Sequence, residues 1–315
     1  MTIQAVRPAS AVTTRVDEPI DAALERVRLR ATALGGGIAA LGDAIARAGA
    51  GGKRFRPALV IRAFHAFADQ TEAPQGLYSV AAAFELLHTA FVVHDDVIDR
   101  DTMRRGIPNI SGEFRARARG QGAGAADARL LGEAAAILGG DLLLHEAIRQ
   151  VSLADFEPAL RERLLGLFDD AIFVSAAGEL ADVENAIAPD CAETPALLRA
   201  ARDKTAVYSF SAPLQAGRAP GSDLRESKRT PLIALARESN SWPRVRRALA
   251  RARSGPDAVR NAQRALDDSG ARERLRTVID DTLAEVRAKA FDPALPPAAS
   301  TLITELAARI EGRIP

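Results

Sequence analysis

The sequence contains very little cysteine and few aromatic residues, and each shortage excludes a class of protein. The single cysteine, Cys191, excludes an internal disulfide framework and a cysteine-rich zinc site, and it fits a reducing cytosol. Aromatic residues make up 4% of the chain and clusters of β-branched residues are sparse, whereas Ala, Leu and Arg are abundant. This composition predicts an all-α fold.

The chain also lacks an excess of charge of either sign. Its 42 basic and 41 acidic residues leave a formal net charge of +1, so no global field attracts nucleic acid or an anionic membrane. Residues 1–20 are polar and lack the apolar core of a signal peptide. The longest apolar stretch, residues 79–93, is interrupted by Glu85 and His88 and indicates a core helix. We therefore expect a cytoplasmic protein with no membrane span and no nucleic-acid partner.

Length and hydrophobicity set the expected domain organisation. Hydrophobic residues make up 47% of the 315 positions, which is enough for a substantial core. Residues 1–18 predict a disordered leader, and residues 19–315 predict a single domain. Within that domain, the glycines at positions 35–37 predict a break between two helices.

The most informative stretch, residues 84–108, is an apolar run that ends in carboxylates and, a few positions later, in two arginines. Its apolar part predicts a buried helix. Asp95 and Asp99 lie four positions apart and share one helix face, and Asp96 lies beside that face because it is three positions before Asp99. Carboxylates that are crowded in this way resist ionisation unless a cation lies among them. Mg²⁺ fits, because it joins carboxylates to substrate phosphates, and Arg104 and Arg105 could hold phosphate oxygens. A solvated helix end with surface salt bridges is the open alternative.

A second candidate anion site begins with two glycines and the basic residues Lys53, Arg54 and Arg56, around a helix start at Pro57. Basic side chains at a helix N-terminus are unfavourable by about 0.3–1 kcal/mol each. A bound anion would reverse that sign. Solvated basic side chains at an ordinary helix start remain the alternative.

The order of these residues resembles the trans-isoprenyl diphosphate synthases, the polyprenyl synthetase family. The first aspartate-rich motif of that family is matched by Leu86-Leu87-His88, His94-Asp95-Asp96, Asp99 and Arg104-Arg105-Gly106-Ile107-Pro108. The stretch GGKRFRP resembles the family's isopentenyl diphosphate site, and the sequence KTAVYS at residues 204–209 resembles its KTxxYS element. The resemblance covers residues 20–313 apart from one block, and it implies an isoprenoid-synthase helical bundle around a central cavity.

The resemblance also implies roles for individual residues. The metal ligands for Mg²⁺ would be Asp95, Asp96 and Asp99. Isopentenyl diphosphate would be held by Lys53, Arg56, His88 and Arg105. The allylic prenyl diphosphate would be held by Arg104, Lys204 and Thr205, with Lys228 as a further substrate-binding residue. The three aspartates, Arg104 and Lys204 would be catalytic, and the activity implied is that of a homodimeric, geranylgeranyl-type synthase.

The match breaks after Gly217, where the family continues to a second aspartate-rich motif, FQxxDDxxD. This sequence passes directly to residues that resemble the segment beyond that motif. A deletion near residues 217–221, of roughly 30 to 50 residues at typical element lengths, is therefore predicted. The remaining acidic pairs, at positions 169–170, 267–268 and 280–281, lack a third aspartate. A smaller departure is Glu179, where the family usually has glutamine.

One aspartate motif supplies only half of the family's metal clamp, so three alternatives stay open. The chain could be a non-catalytic homologue that binds diphosphates or assembles with a complete synthase as a heteromer. It could be the inactive product of a deletion. It could also be a metal-dependent phosphohydrolase, although the sequence offers neither an evident base nor a second acidic cluster.

Overall fold

A computed structural model describes residues 9–68, 72–187, 193–216, 235, 239–251 and 256–311. The first helices are α1 (Ala9–Leu34), α2 (Gly36–Gly49), α3 (Phe55–Phe67), α4 (Gln75–Ile98), α5 (Ile110–Gly120) and α6 (Ala125–Ser152). They are followed by α7 (Pro158–Ile187), α8 (Thr194–Ala201), a π-helix (Arg202–Ser211), α9 (Ala212–Ala216), α10 (Trp242–Arg251), α11 (Pro256–Asp268), α12 (Ala271–Ala290) and α13 (Pro297–Glu311). The all-α prediction is confirmed.

The helices fall into two compact units. The first contains α1, α2, most of α3, α4 to α6, the beginning of α7, and α9. The second contains the rest of α7, α8, the π-helix and α10 to α13. That residues 19–315 fold as one domain stays a prediction. The predicted deletion near residues 217–221 and the predicted substrate-binding residue Lys228 lie outside the described residues.

The predicted disordered leader is wrong from Ala9 onward, because α1 begins there. Val16, Ile20, Ala23 and Val27 recur at helical spacing and are buried in the core, so this segment gains the apolar burial that its polar composition obscured. Residues 1–8 lie outside the described part of the chain.

The predicted break at the glycine run is confirmed. Gly35 has a φ of 68° and separates α1 from α2, a backbone conformation that glycine adopts readily. A Cβ atom on Gly42 would lie 2.7 Å from the Cβ of Ala31, so the two helices pack closely. The bend between them therefore folds α2 back onto α1.

Helix α4 forms the centre of the first unit. Its buried side chains include Val80, Phe84 and Leu87, and the ring of Phe84 lies 4.6 Å from the ring of Phe168, centroid to centroid. By length and composition α4 is also the one described helix that could cross a membrane. However, 78% of its most apolar window is buried inside the protein, which is the property of a core helix. In the second unit, Leu235, Val245 and neighbouring residues form a separate small core.

Candidate active site

The first unit places the predicted carboxylates at the C-terminal end of α4, in three different environments. Asp96 is buried, Asp95 is half-buried and Asp99 is exposed. A helix C-terminus carries negative partial charge, so carboxylates there are unfavourable unless a cation offsets them. Among the described residues, no group of three or more His, Cys, Asp or Glu side chains could hold a metal ion. The structure therefore does not bring all three predicted metal ligands together.

Asp96 forms an ion pair with Arg104, which lies eight positions later in the chain. Arg104 donates to Oδ1 of Asp96 from Nε, at 3.0 Å, and from a terminal guanidinium nitrogen. This hydrogen bond is the main reason why the pKa of Arg104 is raised; burial opposes the increase, and the charges of Asp96, Asp95 and Asp101 add to it. Asp96 is 3% exposed, whereas the side chain of Arg104 is 41% exposed, so the carboxylate is shielded from water and the guanidinium group is partly accessible. Asp96 thus fixes the position of Arg104.

A short hairpin presents the two predicted arginines. Its strands are β1 (Met103–Arg104) and β2 (Ile107–Pro108), which pair antiparallel. The two turn residues, Arg105 and Gly106, both have positive φ angles, 54° and 82°, as a tight hairpin of the I′ type requires. The turn places the exposed Arg105 at the tip of the hairpin, while Arg104 is held on Asp96.

His88 lies half-buried on α4, and three guanidinium groups act on it. Burial is the main reason why the pKa of His88 is lowered to about 3, and the positive charges of Arg56, Arg104 and Arg105 lower it further. The imidazole is therefore neutral at physiological pH and can donate one hydrogen bond. The structure thus brings the three arginines close to His88, and all four residues were predicted to bind a diphosphate.

The glycine-rich loop before α3 is held by Arg54. Its Nε donates to Oδ1 of Asp17 on α1 at 2.7 Å, and a terminal nitrogen lies 3.5 Å from Oε1 of Glu85 on α4. The side chain is buried and its backbone has a φ of 46°, a strained conformation for arginine. Arg54 is thus a structural ion-pair residue, whereas Lys53 is exposed and Arg56 is half-buried.

The aspartate motif is also fixed on its other side, through His94. The His94 ring packs against Gly140 on α6, where an added Cβ atom would meet Nε2 at 2.2 Å. The same Nε2 lies 3.3 Å from Oδ1 of Asp141 and 3.2 Å from the carbonyl oxygen of Ile137. These contacts fix the turn of α4 that carries Asp95.

In the second unit, the predicted diphosphate-binding Lys204 meets two carboxylates. Its Nζ lies 2.7 Å from Oε2 of Glu179 and 3.1 Å from Oδ2 of Asp182, both on α7. A Cβ atom on Gly178 would lie 2.0 Å from the backbone nitrogen of Lys204, so α7 and the π-helix are in close backbone contact. Thr205 is half-buried beside Lys204 in the π-helix. Helices of this kind are rare and occur mostly at functional sites.

A family model described as polyprenyl synthetase matches residues 40–229, more than half of the chain. The chain belongs to the polyprenyl synthetase family. The matched range contains the basic loop, the aspartate motif, the hairpin and the π-helix.

Two relatives illustrate the similarity within the polyprenyl synthetases. The geranylgeranyl diphosphate synthase of Methanosarcina mazei is 36% identical over 109 residues, which cover 35% of this chain and 28% of that protein. The geranylgeranyl diphosphate synthase of Sulfolobus acidocaldarius is 30% identical over 169 residues, covering 53% of this chain and 45% of that protein. In both comparisons, the chain spans less than half the length of the relative that it matches.

Solved structures of polyprenyl synthetases share the fold. A geranylgeranyl pyrophosphate synthase from Corynebacterium glutamicum, solved with isoprenyl diphosphate and magnesium, has a TM-score of 0.75 at 20% identity. The similarity covers 95% of this chain and 97% of that one. A polyprenyl synthase from Caulobacter crescentus has a TM-score of 0.67 at 23% identity, covering 98% of this chain and 96% of that one.

The donor atoms of this polyprenyl synthetase fit Mg²⁺ through two aspartates rather than three. The amide of Asp99 donates to the carbonyl oxygen of Asp95 at 2.8 Å, so the helical turn continues and both side chains share a face. Asp96 instead binds Arg104. Two carboxylates suffice, because Mg²⁺ usually takes one or two carboxylates together with water and phosphate oxygens.

Proposed function

We propose that the chain is a geranylgeranyl-type polyprenyl diphosphate synthase, which joins an allylic prenyl diphosphate to isopentenyl diphosphate. The observation that carries the proposal is the position of three arginines, Arg56, Arg104 and Arg105, around His88, on the same helix as the aspartates. The family membership supports the same chemistry.

Isopentenyl diphosphate would bind to the basic cluster. Guanidinium groups form fork-shaped, charge-assisted hydrogen bonds with phosphate oxygens, and Arg56 and Arg105 provide two of them. His88 would donate a hydrogen bond from its neutral ring, and the exposed Lys53 would add a point charge. A bound diphosphate would also offset the repulsion that lowers the pKa of His88.

The allylic diphosphate would bind at Asp95, Asp99 and Arg104. Mg²⁺ bound by Asp95 and Asp99 would supply Lewis-acid stabilisation of the departing diphosphate. Arg104, held in place by Asp96, would stabilise the charge that develops on the same oxygens. The predicted contact of Lys204 and Thr205 with this diphosphate stays a prediction of the sequence.

In the reaction, the allylic carbon–oxygen bond breaks and its electron pair leaves with the diphosphate. The double bond of isopentenyl diphosphate forms the new carbon–carbon bond, and a proton is then lost. Water must be kept from the allylic cation during these steps. We expect the enzyme to work in the cytosol as a homodimer; exposed Leu130 and Leu138 on one side of α6 support such an interface.

The test is to incubate the purified protein with Mg²⁺, isopentenyl diphosphate and farnesyl diphosphate, and to identify the products by mass spectrometry. We expect the wild-type protein to form a longer prenyl diphosphate. In Asp99→Asn, the rate of product formation should be at least about 100-fold lower. The matched control is Asp127→Asn, an exposed acid in the first turn of α6. If isopentenyl diphosphate binds but no product forms, the synthase proposal is overturned in favour of a non-catalytic homologue.

A further inference from the structure

The second unit contains a lysine that contacts two carboxylates. Lys204 lies 2.7 Å from Glu179 and 3.1 Å from Asp182, and its side chain is 14% exposed. Two carboxylates and one ammonium group give this cluster a formal charge of −1. An anion that approaches Lys204 therefore meets a local negative charge, although lysine itself attracts phosphate.

We propose that Glu179 competes with the diphosphate for Lys204 and so lowers the affinity of this site for anions. The inference rests on the proposed function, because it assumes that Lys204 takes a diphosphate. Glu179 thereby determines how strongly the second unit binds its anionic ligand.

The contacts identify Glu179, rather than Asp182, as the competitor. Both carboxylate oxygens of Glu179 lie close to the lysine nitrogen, at 2.7 and 2.8 Å, in the way that two phosphate oxygens would. Glu179 is also more exposed than Asp182, with side chains 21% and 7% accessible, so a ligand can displace Glu179 more easily. Asp182 is buried and anchors the ammonium group from within the unit.

The neighbouring backbone keeps the backbone of Lys204 close to the helix that carries Glu179. Gly178 precedes Glu179 directly, and its position against the backbone of Lys204 fixes the spacing of α7 and the π-helix. Because that spacing is set by backbone contact, Glu179 stays within reach of the ammonium group when a diphosphate approaches it. Converting Glu179 to glutamine would remove the competing charge while keeping the length of the side chain.

The experiment measures binding of inorganic diphosphate by calorimetry to the full-length protein with and without Glu179→Gln, in both cases also carrying Arg56→Ala and Arg105→Ala, so that the basic cluster of the first unit does not mask the Lys204 site. We expect binding roughly three- to tenfold tighter in the variant, because one competing charge is gone. Glu184→Gln, an exposed glutamate on the same helix, is the matched control and should leave the affinity unchanged. The gain should largely disappear when Glu179→Gln is combined with Lys204→Gln, which ties the effect to this lysine.

Two outcomes would overturn the proposal. Weaker binding in Glu179→Gln would make Glu179 a positioning residue for Lys204, and unchanged binding would mean that Glu179 and the ligand do not compete. Thermal melting of each variant checks that the fold is intact. A parallel titration with isopentenyl diphosphate, together with the product assay, tests the proposed function separately: if both are normal, a negative result for Glu179→Gln concerns this inference alone.

Discussion

The two units each contain basic residues predicted to bind a diphosphate, but the local charge around those residues has the opposite sign. In the first unit, three arginines act on His88 and lower its pKa to about 3, after the larger effect of burial. In the second unit, Lys204 is surrounded by the carboxylates of Glu179 and Asp182. A proton on His88 is therefore repelled by three guanidinium groups, whereas the charge of Lys204 is offset by two carboxylates.

This difference means that a bound anion would relieve charge repulsion in the first unit, whereas Lys204 in the second unit already contacts two carboxylates. Bringing like charges together costs free energy, and a bound diphosphate would return part of that cost in the first unit. The lysine of the second unit gains no such relief, because its charge is balanced within the fold. We therefore expect the first unit to dominate diphosphate binding.

The largest effect is expected from removing two of the arginines. Arg56→Ala combined with Arg105→Ala should weaken isopentenyl diphosphate binding by at least about 100-fold, because hydrogen bonds to charged groups contribute about 1.5–3 kcal/mol each. Calorimetry measures the loss, and Arg119→Ala, an exposed arginine at the end of α5, is the control. If affinity is retained, the first unit is not the main diphosphate site and the comparison between the units fails.

A smaller effect is expected from a methyl group between α7 and the π-helix. The added Cβ atom of Gly178→Ala would lie 2.0 Å from the backbone nitrogen of Lys204, which is too close for two heavy atoms. The backbone must therefore shift, and we expect the free energy of unfolding to fall by about 1–3 kcal/mol. Gly166→Ala in the same helix is the control, since nothing lies within 4 Å of its added Cβ atom. That control should be neutral or stabilising. Urea unfolding measures both, and equal stabilities would show that Lys204 is not held by this contact.

Local sequence patterns predicted most of the helices, whereas the grouping of the basic residues was implied by the family resemblance. Apolar runs and glycine breaks act over short distances, so α4 and the bend at Gly35 followed from the sequence. Positions 95 and 99 share a face because they are one helical turn apart. The hairpin was not predicted, although Gly106 is the kind of residue that a tight hairpin turn favours.

The sequence did not reveal which charged residues pair with each other. Arg54 binds Asp17, which is 37 positions away, and Lys204 binds Glu179 and Asp182, which are 25 and 22 positions away. Such pairs depend on how helices pack, which no local pattern encodes. The pair between Arg104 and Asp96 was likewise not predicted, and metal binding by Asp96 stays a prediction.

The effect that is smallest over a single pH unit concerns His88 and sharpens the comparison through pH. Its pKa is about 3 in the folded protein and close to 6.5 in an unfolded chain, so the unfolded state binds more protons between these values. Stability should therefore fall as the pH is lowered from 6.5 towards 3, with a contribution of up to about 1.4 kcal/mol per pH unit from this group. His88→Gln, which cannot titrate, should remove that contribution.

Urea unfolding of both proteins at pH 6.5, 5.5 and 4.5 isolates the effect of His88, because the other titrating groups are common to both. Saturating isopentenyl diphosphate should make the wild-type protein less sensitive to acid than the free protein, since the anion offsets the three guanidinium charges and raises the pKa of His88. Parallel curves for the wild type and His88→Gln would mean that His88 titrates normally. The positive character assigned to the first unit would then be wrong, and the contrast with Lys204 would lose its physical basis.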